Sequence, residues 1–127
     1  MASELRVDTL KDSSGNNSVG MAYVAEGSAK AWVNYVGSSG SSNQSFNIAS
    51  TTDVATGKTQ PNYTNNFNAD NYTVTCGGNR NGTTAGDSQA MAYFNALTGS
   101  VTFTTTTLGG TFSDFSSASG SAIGDLA

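Results

Sequence analysis

The stretch AKAWVNYVGSSG, residues 29–40, contains the only tryptophan of the chain, Trp32, and ends in a run of glycine and serine. Its apolar residues occur at every second position, as in a β-strand with two different faces. One face carries Ala29, Ala31, Val33 and Tyr35, and the other carries Lys30, Trp32 and Asn34. The pattern predicts either the first strand of an ordinary β-domain or part of a sugar-binding platform around Trp32.

The composition predicts one folded domain with a thin hydrophobic core. Only 21 of the 127 residues are Leu, Ile, Val or Phe. So few large apolar residues would suit a disordered chain, but such chains also carry a high net charge. Here the net charge is −4, with 11% charged residues. A short chain with a thin core is often stabilised by oligomerisation, which we therefore expect.

Several classes of function are disfavoured by residue types that are rare or missing. The chain has no histidine, which removes the usual general base and the commonest metal ligand. Cys76 is the only cysteine, so an intrachain disulfide is excluded, and we expect it to be a small buried or half-buried strand residue. Five basic residues and a pI near 4.3 argue against nucleic-acid binding. We expect no enzyme activity and no cofactor.

The sequence also bears on where the protein resides. No apolar run reaches the ~18 residues of a membrane helix. The first residues, MASELRVDTLKDSSG, lack the basic-then-apolar order of a signal peptide. These features predict a soluble protein made in a cytoplasm, without a membrane partner.

Residues 1–20 are predicted to form an extended N-terminal arm. In SELRVDTL, Leu5 and Val7 share one face of a strand, and the polar KDSSGNNSVG that follows is typical of a turn or link. The arm has too few apolar residues to fold alone. We expect it to dock on a neighbouring protein by strand addition, through Leu5, Val7 and Leu10.

Residues 21–127 are predicted to form an antiparallel sandwich or barrel of short strands separated by Gly/Asn turns. SFNIAS is predicted as one strand with Phe46 and Ile48 on the same face, and GNRNGTTAGD as a long loop. Further strands are predicted around Val101 and Phe103, and through Ala118, Gly120 and Ala122. Residues 87–98 fit either a strand or a helix capped by Asp87 or Ser88, and the all-β context favours the strand.

Two motifs have an ordinary interpretation beside a chemical one. DVATGKT, residues 53–59, resembles the end of a phosphate-binding loop, but Thr52 stands where the first glycine is needed, so we predict a surface turn. Aspartates lie at predicted turns, where they bond local backbone; a loop calcium site stays open, although no Asp-x-Asp-x-Asp spacing supports it.

The aromatic residues also allow two interpretations. With the abundant amides and hydroxyls, they could form a sugar-stacking platform, but strand aromatics more commonly fill a core or an interface. Packing in the core or at a subunit seam is therefore the favoured role for Trp32, Tyr35, Phe46 and Tyr72.

The order of segments resembles a module of bacteriophage tail fibres and other virion surface proteins, especially of marine and cyanobacterial phages. The similarity runs through AKAWVNY, SFNIASTTDVATG and YTNNFNADNYTVT, and extends to SELRVDTLKDSSGNNSV at the start and AIGDLA at the end. It is a pattern of polar strands and turns, without a catalytic signature.

The resemblance implies an all-β protein, an antiparallel β-sandwich of jelly-roll-like form with an N-terminal arm, assembled as a homotrimer. It implies a virion structural protein made in the host bacterial cytoplasm, either of tail-fibre type or a capsid decoration (cement) protein. Its partners would be major capsid or tail proteins, bound through the arm. A carbohydrate-binding module for host-surface glycans is the alternative function.

Overall fold

Two four-stranded antiparallel sheets, preceded by a hairpin and a short helix, make up the chain in the computed structural model, which describes residues 3–79 and 89–127. In chain order, the elements are β1 (Thr9–Lys11), β2 (Ser18–Gly20), α1 (Met21–Gly27), β3 (Ala29–Tyr35), β4 (Ser42–Phe46), β5 (Ile48–Ala55), β6 (Lys58–Tyr63), β7 (Thr73–Asn79), β8 (Gln89–Leu97), β9 (Ser100–Thr107) and β10 (Ser117–Ile123). The predicted all-β, antiparallel, sandwich-like class is confirmed.

The sandwich consists of two large sheets, called sheet I and sheet II. Sheet I has the order β4-β3-β10-β7, and sheet II has the order β5-β6-β9-β8. Strands β3 and β10, the first and last of the sandwich, are neighbours at the centre of sheet I. The hairpins β3–β4, β5–β6 and β8–β9 each stay within one sheet.

Strand β3 follows the predicted alternation. Ala31, Val33 and Tyr35 are buried, whereas Trp32, on the opposite face, is 40% exposed. Strand β10 alternates in the same way, with Ala118 and Ala122 buried. One face of sheet I therefore lines the core, and the other faces outward.

The core lies between the sheets and is built around aromatic rings. Tyr35 of sheet I stacks on Phe103 of sheet II, with ring centroids 6.1 Å apart. Gly120 lies under the Phe103 ring, because a Cβ atom at this position would stand 2.2 Å from the ring Cζ. Other buried apolar residues in the described part of the chain are Ala31, Val33, Pro61, Tyr63, Phe67, Tyr72, Val101, Phe115, Ala118 and Ala122.

The prediction of one strand over SFNIAS is wrong. Asn47 has a positive φ of 56° and separates β4 from β5, which belong to different sheets. Its side chain accepts a hydrogen bond from the Asn65 amide at 2.7 Å and donates one to the Asn65 carbonyl. Asparagine tolerates this left-handed backbone because its short polar side chain bonds locally. Phe46 and Ile48 consequently lie on different strands, not on one face of the same strand.

The segment TTDVATGKTQPN, residues 51–62, forms most of the β5–β6 hairpin. The turn of the hairpin contains Gly57, with a φ of 68°. DVATGKT therefore comprises this turn and the strand residues on either side of it. Pro61 lies inside β6 opposite Thr51 of β5, while pairing of β6 with β9 includes Lys58, Thr59 and Asn62. Proline has no N–H to donate, which agrees with the gap in that second pairing.

The N-terminal region differs from the predicted extended arm. Strand structure covers only residues 9–11 and 18–20, which form a hairpin, so Leu5 and Val7 lie outside any strand. The helix α1 was not predicted; it buries none of its residues and has no side-chain cap. The Met21 amide donates to the Asp8 carbonyl at 2.9 Å, linking the helix start to the hairpin.

Residues 89–97 form strand β8, which agrees with the favoured interpretation of the ambiguous segment. The proposed helix caps Asp87 and Ser88, and most of the loop predicted over residues 78–87, lie outside the described residues. Cys76 is a half-buried residue of β7, as predicted.

Replacement of Gly120 by alanine should destabilise the fold, because the new methyl group overlaps the buried Phe103 ring. We expect a loss of about 1–3 kcal/mol in the free energy of unfolding, the usual range for overpacking. Gly77→Ala is the matched control in the adjacent strand, since nothing lies within 4 Å of its added Cβ. Urea denaturation measures both; equal stabilities would contradict the close packing at Gly120.

Candidate binding surfaces

Trp32 and Phe46 lie on the outer face of sheet I and not in the subunit core. They are 40% and 56% exposed, and they are direct cross-strand partners on β3 and β4. Directly opposite residues in an antiparallel pair have Cβ atoms about 5 Å apart, so the two rings are neighbours. The side chains of Trp32 and Phe46 together are called the aromatic ledge.

A row of residues continues from the aromatic ledge across the sheet. Trp32 is opposite Ser121 of β10, which is opposite Thr75 of β7. The next row along the strands contains Asn34, Ser119 and Gly77. Because the residues on β10 and β7 are small, they form the floor of a groove beside the tryptophan.

The groove has a volume of about 340 Å³. Besides the outward-facing residues of the two rows, its lining includes Val33, Cys76 and Gly120. None of the lining residues carries a formal charge. From Trp32 to Thr75 the row spans two strand spacings, or about 10 Å.

The polar side chains of the groove are held in place by hydrogen bonds. The hydroxyls of Thr75 and Ser121 are 2.7 Å apart. Asn34 Nδ2 donates to Ser117 Oγ at 3.2 Å, and Asn34 Oδ1 accepts from Asn43 Nδ2 at 2.9 Å. The floor and the wall of the groove are thereby fixed relative to each other.

Sequence reasoning placed Trp32 and Asn34 on one face but did not find the groove. Its other side chains belong to Thr75, Ser119 and Ser121, in segments rich in small polar residues. The predicted strand through Ala118, Gly120 and Ala122 does imply that the residues between them face outward. The pairing of β10 with both β3 and β7, which completes the groove, is set by tertiary structure.

Tyr35 and Tyr72 lie in the core. The Tyr72 hydroxyl donates to the carbonyl oxygens of Leu97 and Ser100, which lie 3.0 and 2.9 Å away, and accepts from the Tyr63 hydroxyl at 3.2 Å. Burial raises the pKa of Tyr63, of Tyr72 and of Tyr35 above the ordinary tyrosine value. These neutral phenols lie inside the core, where the hydroxyls of Tyr63 and Tyr72 form hydrogen bonds. They are not placed to act on a ligand.

The predicted docking residues of the arm are all accessible. Leu5, Val7 and Leu10 are 80%, 36% and 43% exposed. Leu10 is directly opposite Val19 in the hairpin, and Val19 is 38% exposed. The two side chains form an exposed apolar pair on one face of an isolated two-stranded ribbon, an element that is marginally stable by itself.

Cys76 and two of the aspartates lie in ordinary structural settings. Burial raises the pKa of the Cys76 thiol, which disfavours the nucleophilic thiolate. Asp114 accepts a hydrogen bond from the Gly57 amide at 2.6 Å, and Asp12 from the Asn16 amide at 3.0 Å. Within residues 3–79 and 89–127, no three metal-ligating side chains are grouped closely enough to hold an ion.

Comparison with known proteins gave no match to a family model, a curated protein or a solved structure. In the part of the chain that the structure describes, no helix has the length and apolar character required to span a membrane.

The buried tyrosines should make the fold sensitive to alkali. Their pKa values are raised in the folded state, so this contribution to stability is complete below the unfolded pKa of about 10 and is lost as the pH rises above it. We expect the urea midpoint to fall steadily as the pH rises above about 10. Tyr63→Phe should flatten this dependence.

Tyr23→Phe is the control, because Tyr23 is 78% exposed on α1. It should retain the pH dependence of the parent protein. An equal slope in Tyr63→Phe and the parent would show that the buried phenol does not contribute.

Proposed function

We propose that this protein is a bacteriophage virion structural protein, a surface-exposed β-module of the tail-fibre or capsid-decoration type. The observation that carries the proposal is the N-terminal segment, residues 3–28, which has little buried surface of its own. Its helix buries no residue, and Leu5, Leu10 and Tyr23 are exposed. A segment of this kind gains stability by docking on another protein, as a virion component does.

The sandwich that follows suits a structural role. Its centre is filled with side chains, and among the described residues no buried side-chain nitrogen or oxygen lacks a hydrogen-bond partner. The excess negative charge and polar faces favour solubility at high copy number. The resemblance of the order of segments to phage fibre modules, described in the sequence analysis, is in line with the same assignment.

A homotrimer is the proposed assembly, with subunits in contact through strand β8. This strand is an edge of sheet II, and its residues Tyr93, Phe94 and Leu97 are 44–47% exposed. Long apolar edges are normally covered, because they otherwise promote aggregation. Contact between subunits at β8 would enlarge the thin core of each sandwich.

The jelly-roll form of the sandwich stays a prediction. The adjacency of β3 and β10 supports it, because it brings the first and last strands of the sandwich together. The three hairpins that remain within single sheets give fewer crossings between sheets than two interlocked Greek keys would.

Carbohydrate binding is the second candidate function. It is favoured by the position of Trp32, whose exposed indole adjoins an uncharged groove lined by amides and hydroxyls. A glycan-binding face would be compatible with a virion surface role and also with an independent binding module.

Leu10→Asp should abolish docking without unfolding the sandwich, because Leu10 lies in the separate hairpin. We expect purified virions to carry at least about tenfold fewer copies of this variant, as for loss of an apolar anchor. Ser18→Asp is the matched control, because it adds the same charge to the same hairpin. Ser18 is the residue before Val19, so its side chain lies on the opposite face of the hairpin from the Leu10–Val19 pair. Equal incorporation of both variants would contradict docking through Leu10.

Quantitative mass spectrometry of virions tests the assignment itself. A copy number comparable with that of the capsid subunits would indicate head decoration, and a low number would indicate a tail fibre. Absence from virions would refute the proposal. Light scattering of the purified protein should give the mass of three chains, whereas a stable folded monomer would contradict the trimer.

A further inference from the structure

We propose that the groove beside Trp32 on sheet I binds a neutral carbohydrate, with one sugar ring stacked on the indole. This inference rests on carbohydrate binding, the second candidate function, and specifies its site and ligand class. It does not depend on whether the protein is part of a virion.

The first support is the position of the tryptophan. Trp32 is the only tryptophan in the chain and lies 40% exposed on the outer face of β3, beside the even more exposed Phe46. Large aromatic side chains gain free energy by leaving water, so an exposed pair is well placed to cover the face of a ligand. A pyranose ring offers such a face, because its C–H groups form an apolar surface edged by hydroxyls.

The second support is the hydrogen-bonding capacity beside the indole. In the pair Thr75–Ser121 one hydroxyl donates to the other, which leaves one O–H and several lone pairs for a ligand. Asn34 retains one N–H and one lone pair beyond the two bonds it makes. Sugar hydroxyls both donate and accept, and such a mixed set of groups matches them.

The charge of the groove selects a neutral ligand. All of its lining residues are uncharged, and the nearest cation along β3 is Lys30, whose ammonium bonds to Ser28 Oγ at 2.5 Å. An anionic glycan or a phosphate group would find no basic residue within the groove. The site is therefore suited to neutral hexoses or N-acetylhexosamines.

A second copy of the chain is a poorer occupant of this face. Stable subunit interfaces have a largely apolar centre. On the outer face of sheet I, the large apolar side chains of the two described rows are Trp32 and Phe46, and the others are hydroxyls, amides and glycine. The exposed apolar edge at β8 is a better candidate for contact between subunits.

The test is binding of the full-length protein to an immobilised array of neutral oligosaccharides of glucose, galactose, mannose and N-acetylglucosamine. The best ligand is then titrated by calorimetry. Trp32→Ala should weaken its affinity at least about tenfold, the effect of removing an aromatic anchor. Ser121→Val, which keeps the indole but fills the groove floor with a strand-favouring residue, should weaken it to a similar degree.

Phe112→Ala is the matched control, because Phe112 is 45% exposed and contacts Lys58 rather than the groove. It should bind as the parent does. Light scattering of each variant distinguishes the site from a subunit contact. The inference is overturned if no neutral oligosaccharide binds, if Trp32→Ala binds as the parent does, or if Trp32→Ala dissociates the assembly. The copy number of the parent protein in virions tests the structural role separately.

Discussion

The close approach of the two sheets at Gly120 and Phe103 is the contact on which the rest of the structure depends. The Phe103 ring occupies the space over a residue without a side chain and stacks on Tyr35. Few large apolar residues are available, so a small number of rings must fill the space between the sheets. The hydroxyls of Tyr63 and Tyr72 then supply hydrogen bonds inside the core, and their partners are backbone carbonyls or each other.

Because side chains fill the space between the two sheets, a ligand or a partner protein can bind only at the outer surfaces. In the part of the chain that the structure describes, most of the exposed large apolar side chains lie in residues 3–28, along the β8 edge and at the Trp32–Phe46 ledge, and the others are Val54, Leu108 and Phe112. These three regions are of two chemical kinds. The hairpin and the edge strand are apolar and suit protein contacts, whereas the ledge adjoins amides and hydroxyls.

The sequence determined the fold class and most of the body strands, because short alternating segments reveal both faces of a strand. In β3, alternation correctly separated Val33 and Tyr35 from Trp32. The errors occurred where tertiary structure overrides local pattern. Asn47 interrupts an apparently continuous strand because its side chain bonds to Asn65, 18 residues away. The groove combines side chains from β3, β7 and β10, and no local pattern records which strands will be neighbours.

The most direct test of a surface-based function is the solvent accessibility of Trp32 in the assembled protein. Because it is the only tryptophan, fluorescence reports on this position alone. Collisional quenching by acrylamide should be strong, with emission at the long wavelengths of a hydrated indole. A weakly quenched, blue-shifted indole in the ligand-free assembly would contradict the account, since Trp32 would then be covered by protein and the outer face of sheet I would be an interface.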